Sequence, residues 1–502
     1  MDTPSTIDIL YNDVLFSIFK CLNIKDIVQA GCTNKSWLHA TTSIKSCGFH
    51  IMFVSSIHTN LITKCFSSPF FYHVTSIKFI DNMFLFNNVY SNYSNSEWMN
   101  NIMNLLSISS NIQAVTFSAL TFGENDMVQL SNTLSLDSQK MSTLDISTSS
   151  IHTKGVKYLI QALKQNTSLT SLATGALNNV SFDDLGELIQ VLNVKSSIVS
   201  LNLASMRIGL GGLRELALLI QNSTSLRFLD ISFMHVSLSL PSDMDVLFNS
   251  ISINSSLTSL DLSCTNFGSP VGGEKLANAL EQNKHLSLTS LNLNMMNLNN
   301  DGVVCIMNTL CKNETITSLD LRYNKFSSVG AKALSECIKV NKTIQHLDLS
   351  YNKIFYCKEE KDNNRLVYSH FFESLGANKS IKQLNMSVAS LCMDCEDDVM
   401  SFLSKAIKQN STLVDLNISN NCIGIKGATE LANALSLNKS ITKLDLDNNK
   451  IGNQGIHEIA KALSFNTTLT ELIVKWNNNI DDDGQDALER IALSKGNQFI
   501  LH

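Results

Sequence analysis

Hydrophobic and polar positions alternate in a pattern that occurs twice between residues 411 and 466. In each copy, three apolar residues spaced as L-x-x-L-x-L precede an Asn, an Ile and a Gly. The first copy contains Leu413, Leu416, Ile418 and Asn421, and the second begins 28 residues later at Ile441, since 441 − 413 = 28. The L-x-L alternation predicts a short strand with one buried face.

Each predicted strand is followed by a segment with helical periodicity. Apolar residues recur there at i, i+3, i+4 and i+7, in the two copies at Ala428, Leu431, Ala432, Leu435, Ile456, Ile459, Ala460 and Leu463. Such a stripe predicts an amphipathic helix. Neither the strand nor the helix can bury its apolar face alone, so the copies must stack into a continuous core.

The pattern continues from residue 111 to the last residues of the sequence. Its first apolar position recurs at steps of 28 to 32 residues, with one step of 37, at Ile112, Met141, Leu169, Ile198, Leu226, Leu257, Leu288, Ile316, Ile344, Ile381, Leu413, Ile441 and Leu469. These units resemble leucine-rich repeats, and their long helices resemble the ribonuclease-inhibitor class. The resemblance implies an α/β solenoid of about thirteen repeats over residues 111–502, a horseshoe with a parallel sheet inside and helices outside.

Residues 1–45 carry a different pattern, that of short amphipathic helices. Val14, Ile18 and Phe19 occur at helical spacing, Leu22 closes the same face, and a second short helix carries Ile27. A segment this small is not stable alone. We therefore expect it to dock on another surface.

This segment resembles the F-box. The matching positions are Leu10, Asp13, Val14, Leu15, Ile18, Phe19, Leu22, Asp26, Ile27, Lys35 and Trp37. The sequence departs from the family pattern at Tyr11, where Pro is usual, and at Thr33 and Asn34, which replace Val-Cys. The resemblance implies contact with a Skp-family adaptor of a cullin ubiquitin ligase through Leu10, Val14, Ile18, Phe19, Leu22, Ile27 and Trp37. The alternative is a helical cap that seals the first repeat.

Residues 46–110 form a connecting region. Val74, Ile77 and Phe79 fit the L-x-x-L-x-L spacing, and the segment from Trp98 to Leu106 has helical periodicity. These residues predict a degenerate first repeat.

The composition and net charge of the chain indicate its cellular compartment and exclude some classes of partner. The net charge is −6, without the basic stripe that nucleic-acid binding requires, and no apolar run is long enough to span a bilayer. The N-terminus lacks the pattern of a secretory signal. The twelve cysteines are therefore expected to be reduced thiols in the cytosol or nucleus. N-x-S/T sequons recur along the chain, and they are interpreted as helix-ending turns with left-handed Asn rather than as glycan sites, as at Asn166, Asn222, Asn410, Asn438 and Asn466.

The chain contains no recognisable catalytic motif, so we expect a binding protein without catalytic residues, metal or cofactor. Cys392 and Cys395 form one isolated C-x-x-C, which is interpreted as part of a repeat loop. Asp481–Asp483 are interpreted as the acidic start of a helix. An insertion at residues 355–362 predicts a charged, solvated loop and a minor candidate for partner contact.

The phase of the strands predicts a partner-binding surface on the concave side. The residue between the second and third apolar positions is Asp or Asn in most repeats, and this regularity indicates a structural role. Nearby positions carry large or charged residues where other repeats have small ones: Phe228, Phe233, Arg322, Tyr323, His346, Tyr351, Lys475 and Trp476. Aromatic and Arg side chains on a small, polar surface are typical interface anchors.

The leading hypothesis is therefore a substrate receptor of an SCF-type cullin ubiquitin ligase, with a protein substrate on the concave face. One alternative is a repeat scaffold without ligase coupling. Another, less favoured, is a small-GTPase regulator of the Ran GTPase-activating type, whose usual acidic tail is missing here.

Overall fold

The computed structural model describes residues 49–54, 74–80, 96–109, 111–136, 140–175, 177, 180–236, 243–265, 271–355, 361–391, 396–477, 480–496 and 499–502. The chain divides into two compact units. The first comprises Met1–Asp230 and Met234–Ser237, and the second comprises Ile231–Phe233 and Leu238–His502.

In the first unit, strands and helices alternate as the sequence predicts. One parallel sheet contains, in spatial order, β1 (Phe49–Val54), β2 (Val74–Ile80), β3 (Ala114–Ser118), β5 (Thr143–Asp145), β7 (Ser171–Ala173), β8 (Ser200–Asn202) and β10 (Phe228–Asp230). Two pairs of short parallel strands lie outside that sheet: β4 (Thr121–Phe122) with β6 (Ser150–Ile151), and β9 (Arg207–Ile208) with β11 (His235–Val236).

The helices of the first unit occupy the connections between these strands. They are α1 (Ser96–Ile108), α2 (Glu124–Leu134), α3 (Thr153–Gln165), α4 (Phe182–Val194) and α5 (Leu210–Asn222). Consecutive helices pack against each other. The strand and helix predicted between Val74 and Leu106 are present as β2 and α1, and β1 precedes β2 in the sheet. Their assignment as a degenerate first repeat stays a prediction.

The second unit repeats the same plan with greater regularity. Its parallel sheet runs in sequence order through β12 (Ser259–Asp261), β13 (Ser290–Asn292), β14 (Ser318–Asp320), β15 (His346–Asp348), β16 (Gln383–Asn385), β17 (Asp415–Asn417), β18 (Lys443–Asp445), β19 (Glu471–Ile473) and β20 (Ile500–Leu501). Equivalent residues of neighbouring repeats are paired in register, for example Leu319 with Leu347.

The helices of the second unit again form a continuous row. They are α6 (Asp243–Ile253), α7 (Val271–Gln282), α8 (Asn299–Leu310), α9 (Ser328–Val340), α10 (Lys361–Ala377), α11 (Glu396–Gln409), α12 (Ile425–Leu435), α13 (Gly452–Phe465) and α14 (Asp482–Lys495). The predicted apolar stripes of α12 and α13 are buried, as are the central leucines of the strands. The fold is therefore an α/β repeat solenoid, as predicted.

The sequon asparagines have a structural role, but not in the predicted conformation. Asn166, Asn410, Asn438 and Asn466 are 2–4% exposed. Asn166 and Asn466 have φ of −65° and −81°, which is not left-handed. The Asn466 amide donates to the Leu435 carbonyl at 2.7 Å and accepts from the Leu469 N–H at 2.8 Å. Buried amides with these partners tie one repeat to the previous one, and burial at this level leaves no access for a glycan.

Asn222 departs from this group. It is exposed and ends α5, and the neighbouring Ser223 occupies the equivalent position, where its hydroxyl accepts from the Leu226 N–H at 3.0 Å. A serine here therefore satisfies the same backbone donor as the asparagine of other repeats.

A solvated loop was predicted at residues 355–362, and the first residue of this insertion differs from that prediction. Phe355 is 1% exposed and packs on Tyr368, Phe371 and Phe372 of α10, with ring centroids 5.2–5.6 Å apart. The insertion therefore begins in the core, because it supplies an aromatic residue for the longest helix of the described repeats. Residues 356–360, which hold much of its charge, lie outside the described residues.

Candidate partner-binding surface

Buried asparagines fix the turns that follow β14, β15, β17 and β18 in the second unit. Asn324 and Asn352 are 0% and 1% exposed. The Asn352 side chain accepts from the Asn324 N–H at 2.9 Å and donates to the carbonyls of Leu321 and Leu349 at 2.9 and 3.0 Å. Asn421 and Asn449 make equivalent bonds. These amides satisfy backbone groups where the chain leaves the sheet, as predicted.

The regular Asp and Asn residues lie at the last position of their strands, and their side chains accept hydrogen bonds from backbone N–H groups of the following turn. Asp348 accepts from the Ser350 N–H at 2.9 Å, and Asn385 accepts from the Ser387 N–H at 3.0 Å. Asn385 also donates to Asp348 across the sheet at 2.9 Å. These local bonds account for the regularity, so the structural interpretation of this position is confirmed.

The residue seven positions after the first apolar position of each repeat forms what we call the loop row. In the described part of the second unit the loop row contains Phe233, Cys264, Met295, Tyr323, Tyr351, Val388, Asn420, Asn448 and Trp476, all with φ between 49° and 58°. Bulky residues rarely adopt this left-handed conformation. From Phe233 to Asn448 it is stabilised because the backbone N–H donates to the next repeat, for example from Tyr323 to Ser350 at 3.2 Å and from Tyr351 to Ser387 at 2.9 Å.

Two tyrosines of the loop row form an exposed aromatic pair. The rings of Tyr323 and Tyr351 are stacked with centroids 4.1 Å apart and an interplanar angle of 14°. They remain 42% and 44% exposed. The pKa of the Tyr323 phenol is raised above its usual value, first by desolvation and then by a hydrogen bond with Tyr351. The pair is therefore ordered before any partner binds, which lowers the entropic cost of binding.

Arg322 lies beside this pair among carboxylates. Its guanidinium contacts Asp320 at 2.7 Å and lies 3.6 Å from Asp348. Burial raises the pKa of Asp320, while the hydrogen bonds from Arg322 oppose that shift. The positive charge of Arg322 is consequently compensated inside the protein, and its partly exposed side chain is held in place.

His346 contributes to the same region from β15. Its ring Nδ1 lies 2.7 Å from the Gln383 Oε1 of β16, and its side chain is exposed. The register places His346 directly opposite Ser318 of β14. The structure thus brings Arg322, Tyr323, His346 and Tyr351 together on adjacent repeats.

The remaining predicted residues do not join this group. Phe228 is 52% exposed and belongs to the first unit, at the start of β10. Lys475 and the 77% exposed Trp476 follow β19, four strands beyond β15, which corresponds to roughly 19 Å along the sheet. Phe233 lies in the loop row, but Cys264 and Met295 separate it from Tyr323.

Five members of the loop row were not among the predicted residues, and three of these five are apolar: Cys264, Met295 and Val388. Met295 is 49% exposed, and Cys264 and Val388 are partly exposed. The signal was available, because each lies seven residues after the first apolar position of its repeat, as Tyr323 and Tyr351 do. Met295, Cys264 and Val388 are neither aromatic nor basic, whereas the predicted anchors are all aromatic or basic side chains.

The predicted adaptor-binding residues cannot be placed on the structure. Leu10, Val14, Ile18, Phe19, Leu22, Ile27 and Trp37 all lie outside the described residues. The same holds for Cys392 and Cys395. Whether the apolar face of Val14, Ile18 and Leu22 is exposed or packed on a repeat is therefore a question for experiment.

The acidic run near the end of the chain is a helix cap. The Asp481 carboxylate accepts from the backbone N–H groups of Asp483 and Gly484, at 3.1 and 3.3 Å, and α14 begins at Asp482. This confirms the helix-start interpretation. Within the described ranges no group of His, Cys, Asp and Glu side chains has the arrangement of a metal site. None of the described helices combines the length and hydropathy required to cross a bilayer.

The fold and the two sequence patterns define a repeat protein with an N-terminal helical segment. Comparison with protein families identifies both parts. The F-box domain matches residues 7–47, which include all seven predicted adaptor-binding residues. The Leucine Rich repeat family matches residues 254–277, 312–335, 340–354, 409–432, 437–460 and 465–488. The chain therefore carries an F-box domain at its N-terminus and at least six leucine-rich repeats, and both are typical of non-catalytic adaptor and interaction domains. Its membership of the ribonuclease-inhibitor class stays a prediction.

Solved structures share the repeat architecture at low similarity. The complex of Rad7 and Elc1 in yeast is 14% identical, with 81% of this chain and 94% of that chain covered and a TM-score of 0.45. An internalin from Listeria monocytogenes is 17% identical, with 74% and 83% covered and a TM-score of 0.37. Actin-binding site 2 of leiomodin-1 is 24% identical, with 30% and 79% covered and a TM-score of 0.24. Comparison with curated proteins found no match.

Proposed function

We propose that this protein is a substrate receptor of an SCF-type cullin ubiquitin ligase. The observation that carries the proposal is the F-box match at residues 7–47, directly ahead of a long repeat array. An F-box supplies the attachment to a Skp-family adaptor, and a repeat array supplies a large surface for a second protein.

In this role the chain carries no chemistry of its own. The adaptor would bind Leu10, Val14, Ile18, Phe19, Leu22, Ile27 and Trp37, and the protein substrate would bind the sheet side of the repeats. Ubiquitin transfer would belong to the ligase partners, and the receptor would raise its rate by holding the substrate close to them. We further propose that it acts in the cytosol or nucleus, where the described free cysteines would stay reduced.

The substrate would occupy the surface around the tyrosine pair. Tyr323 and Tyr351 are exposed, stacked and ordered, and Arg322 beside them is fixed by Asp320. Interfaces depend on a few such aromatic and Arg anchors.

A pulldown with the purified Skp-family adaptor tests the attachment. The full chain is expected to bind, and the Leu10→Ala/Ile18→Ala variant is expected to lose binding, because two apolar side chains of the predicted contact are removed. The matched control is Tyr323→Asn/Tyr351→Asn, which should bind the adaptor as wild type does. Circular dichroism of each variant checks that the repeats remain folded.

Absence of adaptor binding by the wild-type chain would contradict the proposal. The first helices would then be a cap, and the protein would be a repeat scaffold without ligase coupling. Equal binding by the wild type and the Leu10→Ala/Ile18→Ala variant would show that adaptor contact does not use the predicted face.

A further inference from the structure

Two cysteine side chains lie in contact between α8 and α9 of the second unit. Cys311 directly follows the last residue of α8, and Cys337 lies in the last turn of α9. Their thiols share a hydrogen bond. Cys337 is 0% exposed, whereas Cys311 is partly exposed. One thiol of the pair is therefore accessible to solvent, and the other is reached only through the first.

Backbone hydrogen bonds around the two cysteines hold them together. Asn341 follows α9, and its backbone N–H donates to the Cys337 carbonyl at 2.8 Å. The Asn341 side chain donates to the carbonyls of Leu310 and Asn313, on either side of Cys311, at 2.8 and 3.1 Å. These bonds fasten the end of α8 to the end of α9 without using the thiols. The contact between the thiols is consequently a property of the packed repeats rather than of one side-chain rotamer.

The second cysteine of α8 faces a different environment. Cys305 lies six residues before Cys311, which places it about 120° away around the helix. The pKa of its thiol is raised by burial and by the charges of Glu274 and Asp301, and none of the described thiols contributes to that shift. Cys311 is therefore the cysteine of α8 that pairs with Cys337, and Cys305 offers an internal comparison.

The two thiols of the pair have different chemical roles available to them. Burial raises the pKa of the Cys337 thiol, and the neighbouring thiol of Cys311 raises it further, so Cys337 stays protonated at neutral pH. An oxidant in solution meets Cys311 first, because only Cys311 has an exposed surface. Oxidation of a thiol beside a second thiol ends in a disulfide. In a reducing compartment such disulfides are typically transient and sense oxidants.

We propose that Cys311 and Cys337 form a peroxide-sensitive modification site, at which oxidation joins α8 to α9 through a disulfide. The Cys311 thiolate attacks hydrogen peroxide, the O–O bond breaks, and the departing hydroxide takes up the thiol proton as the first water. The Cys337 sulfur then attacks the Cys311 sulfenic acid, whose S–O bond breaks. Hydroxide leaves with the Cys337 proton as the second water. The two thiols lose two electrons, which reduce one peroxide to two waters.

The disulfide would clamp the two helices on either side of β14. Its S–S bond of about 2.0 Å is shorter than a thiol hydrogen bond, so the two sulfurs must approach each other. Cys311 lies at a helix end, where the backbone is least constrained. A cross-link between the helices restricts local unfolding of the repeat that carries Tyr323. This inference does not depend on the proposed ligase role, because it concerns contacts within the repeats.

Peroxide treatment of the full-length wild-type chain, followed by peptide mapping, tests the inference. The reduced protein is treated with a small excess of hydrogen peroxide, remaining thiols are blocked with N-ethylmaleimide, and the chain is digested without reductant. Trypsin leaves Cys305 and Cys311 in one fragment, residues 285–312, so fragment sequencing by mass spectrometry identifies the linked cysteine. The cross-link from Cys311 to Cys337 should be at least about tenfold more abundant than one from Cys305. Dithiothreitol should reverse it.

Three variants separate the roles of the thiols. Cys337→Ala removes the second thiol, so the Cys311 sulfenic acid should persist and react with dimedone. Cys311→Ser should abolish the cross-link, and its partly exposed position keeps this test valid even if alanine at the buried position disturbs packing. Cys305→Ser is the matched control and should form the cross-link as wild type does. Circular dichroism checks that each variant remains folded.

Amide hydrogen exchange measures the clamp. Exchange in α8 and α9 should slow several-fold in the oxidised wild type and stay unchanged in peroxide-treated Cys337→Ala. Equal exchange in the oxidised and reduced wild type would refute the clamp. The modification site itself would be overturned by a wild-type chain without the cross-link, by dimedone labelling of Cys311 in the wild type equal to that in Cys337→Ala, or by preferential linkage of Cys337 to Cys305.

Discussion

At the scale of single residues, buried asparagine side chains join one repeat to the next through hydrogen bonds to the backbone. One buried set, which includes Asn352, fixes the turn after the strand, and another, which includes Asn466, fixes the turn before it. The sequence predicted both positions from their recurrence. It did not predict the backbone conformation of the second set, because the bonds that hold it extended come from the preceding repeat, for example from Leu435.

Removal of one turn amide should destabilise the second unit. Asn352→Ala removes the buried partner of the Asn324 N–H and of the Leu349 carbonyl, so we expect a loss of roughly 2–3 kcal/mol in unfolding free energy. Urea unfolding followed by circular dichroism measures this loss. The control is Asn433→Ala on the exposed face of α12, which should be neutral or slightly stabilising because Ala favours helix. Equal effects of the two changes would contradict the structural role of Asn352.

At the scale of elements, the periodicity of apolar residues predicted the helices and the strands of the main sheet, but not the two-residue strands outside it. The strands β12 to β19 and the helices between them follow from the repeat, whereas the two-residue pairs β4 with β6 and β9 with β11 carry too few residues for any period to be visible. The periodicity of the sequence also did not predict where two helices pack closely. Gly273 of α7 faces Gly302 of α8 so closely that a Cβ on Gly273 would lie 2.5 Å from the Gly302 Cα.

Alanine at Gly273 should therefore separate two helices. We expect Gly273→Ala to lower the unfolding free energy by about 1–3 kcal/mol, because the contact is with backbone that must move. Gly186→Ala in α4 is the comparison, since a Cβ there meets nothing within 4 Å. That variant should be more stable by about 0.5–1 kcal/mol, through helix propensity alone. Thermal denaturation of both variants tests the pair, and stabilisation by Gly273→Ala would refute the close approach.

At the scale of the whole molecule, the array determines what the sequence can reveal about function. The repeat predicts where side chains face solvent, and it led to the tyrosine pair and Arg322. It could not show that Arg322 is already paired with Asp320, or that Lys475 and Trp476 lie four strands away from the pair. Those facts depend on side-chain conformation and on the number of repeats between two positions. The partner-binding role itself rests on charge and exposure and stays a proposal.

The same architecture predicts that a destabilising substitution in one repeat affects that repeat and its immediate neighbours, but not distant repeats. Each repeat of the second unit packs mainly on its immediate neighbours, so coupling should decay along the array. Ile459 of α13 is fully buried, and Ile459→Ala should cost about 2–5 kcal/mol at that position. Amide hydrogen exchange should then accelerate in α12, α13, α14 and the strands β18 and β19, while α7, α8 and the strands β12 and β13 retain their protection. Lys461→Ala, on the exposed face of the same helix, should change exchange nowhere. A uniform acceleration across the second unit after Ile459→Ala would instead show that it unfolds as one cooperative block.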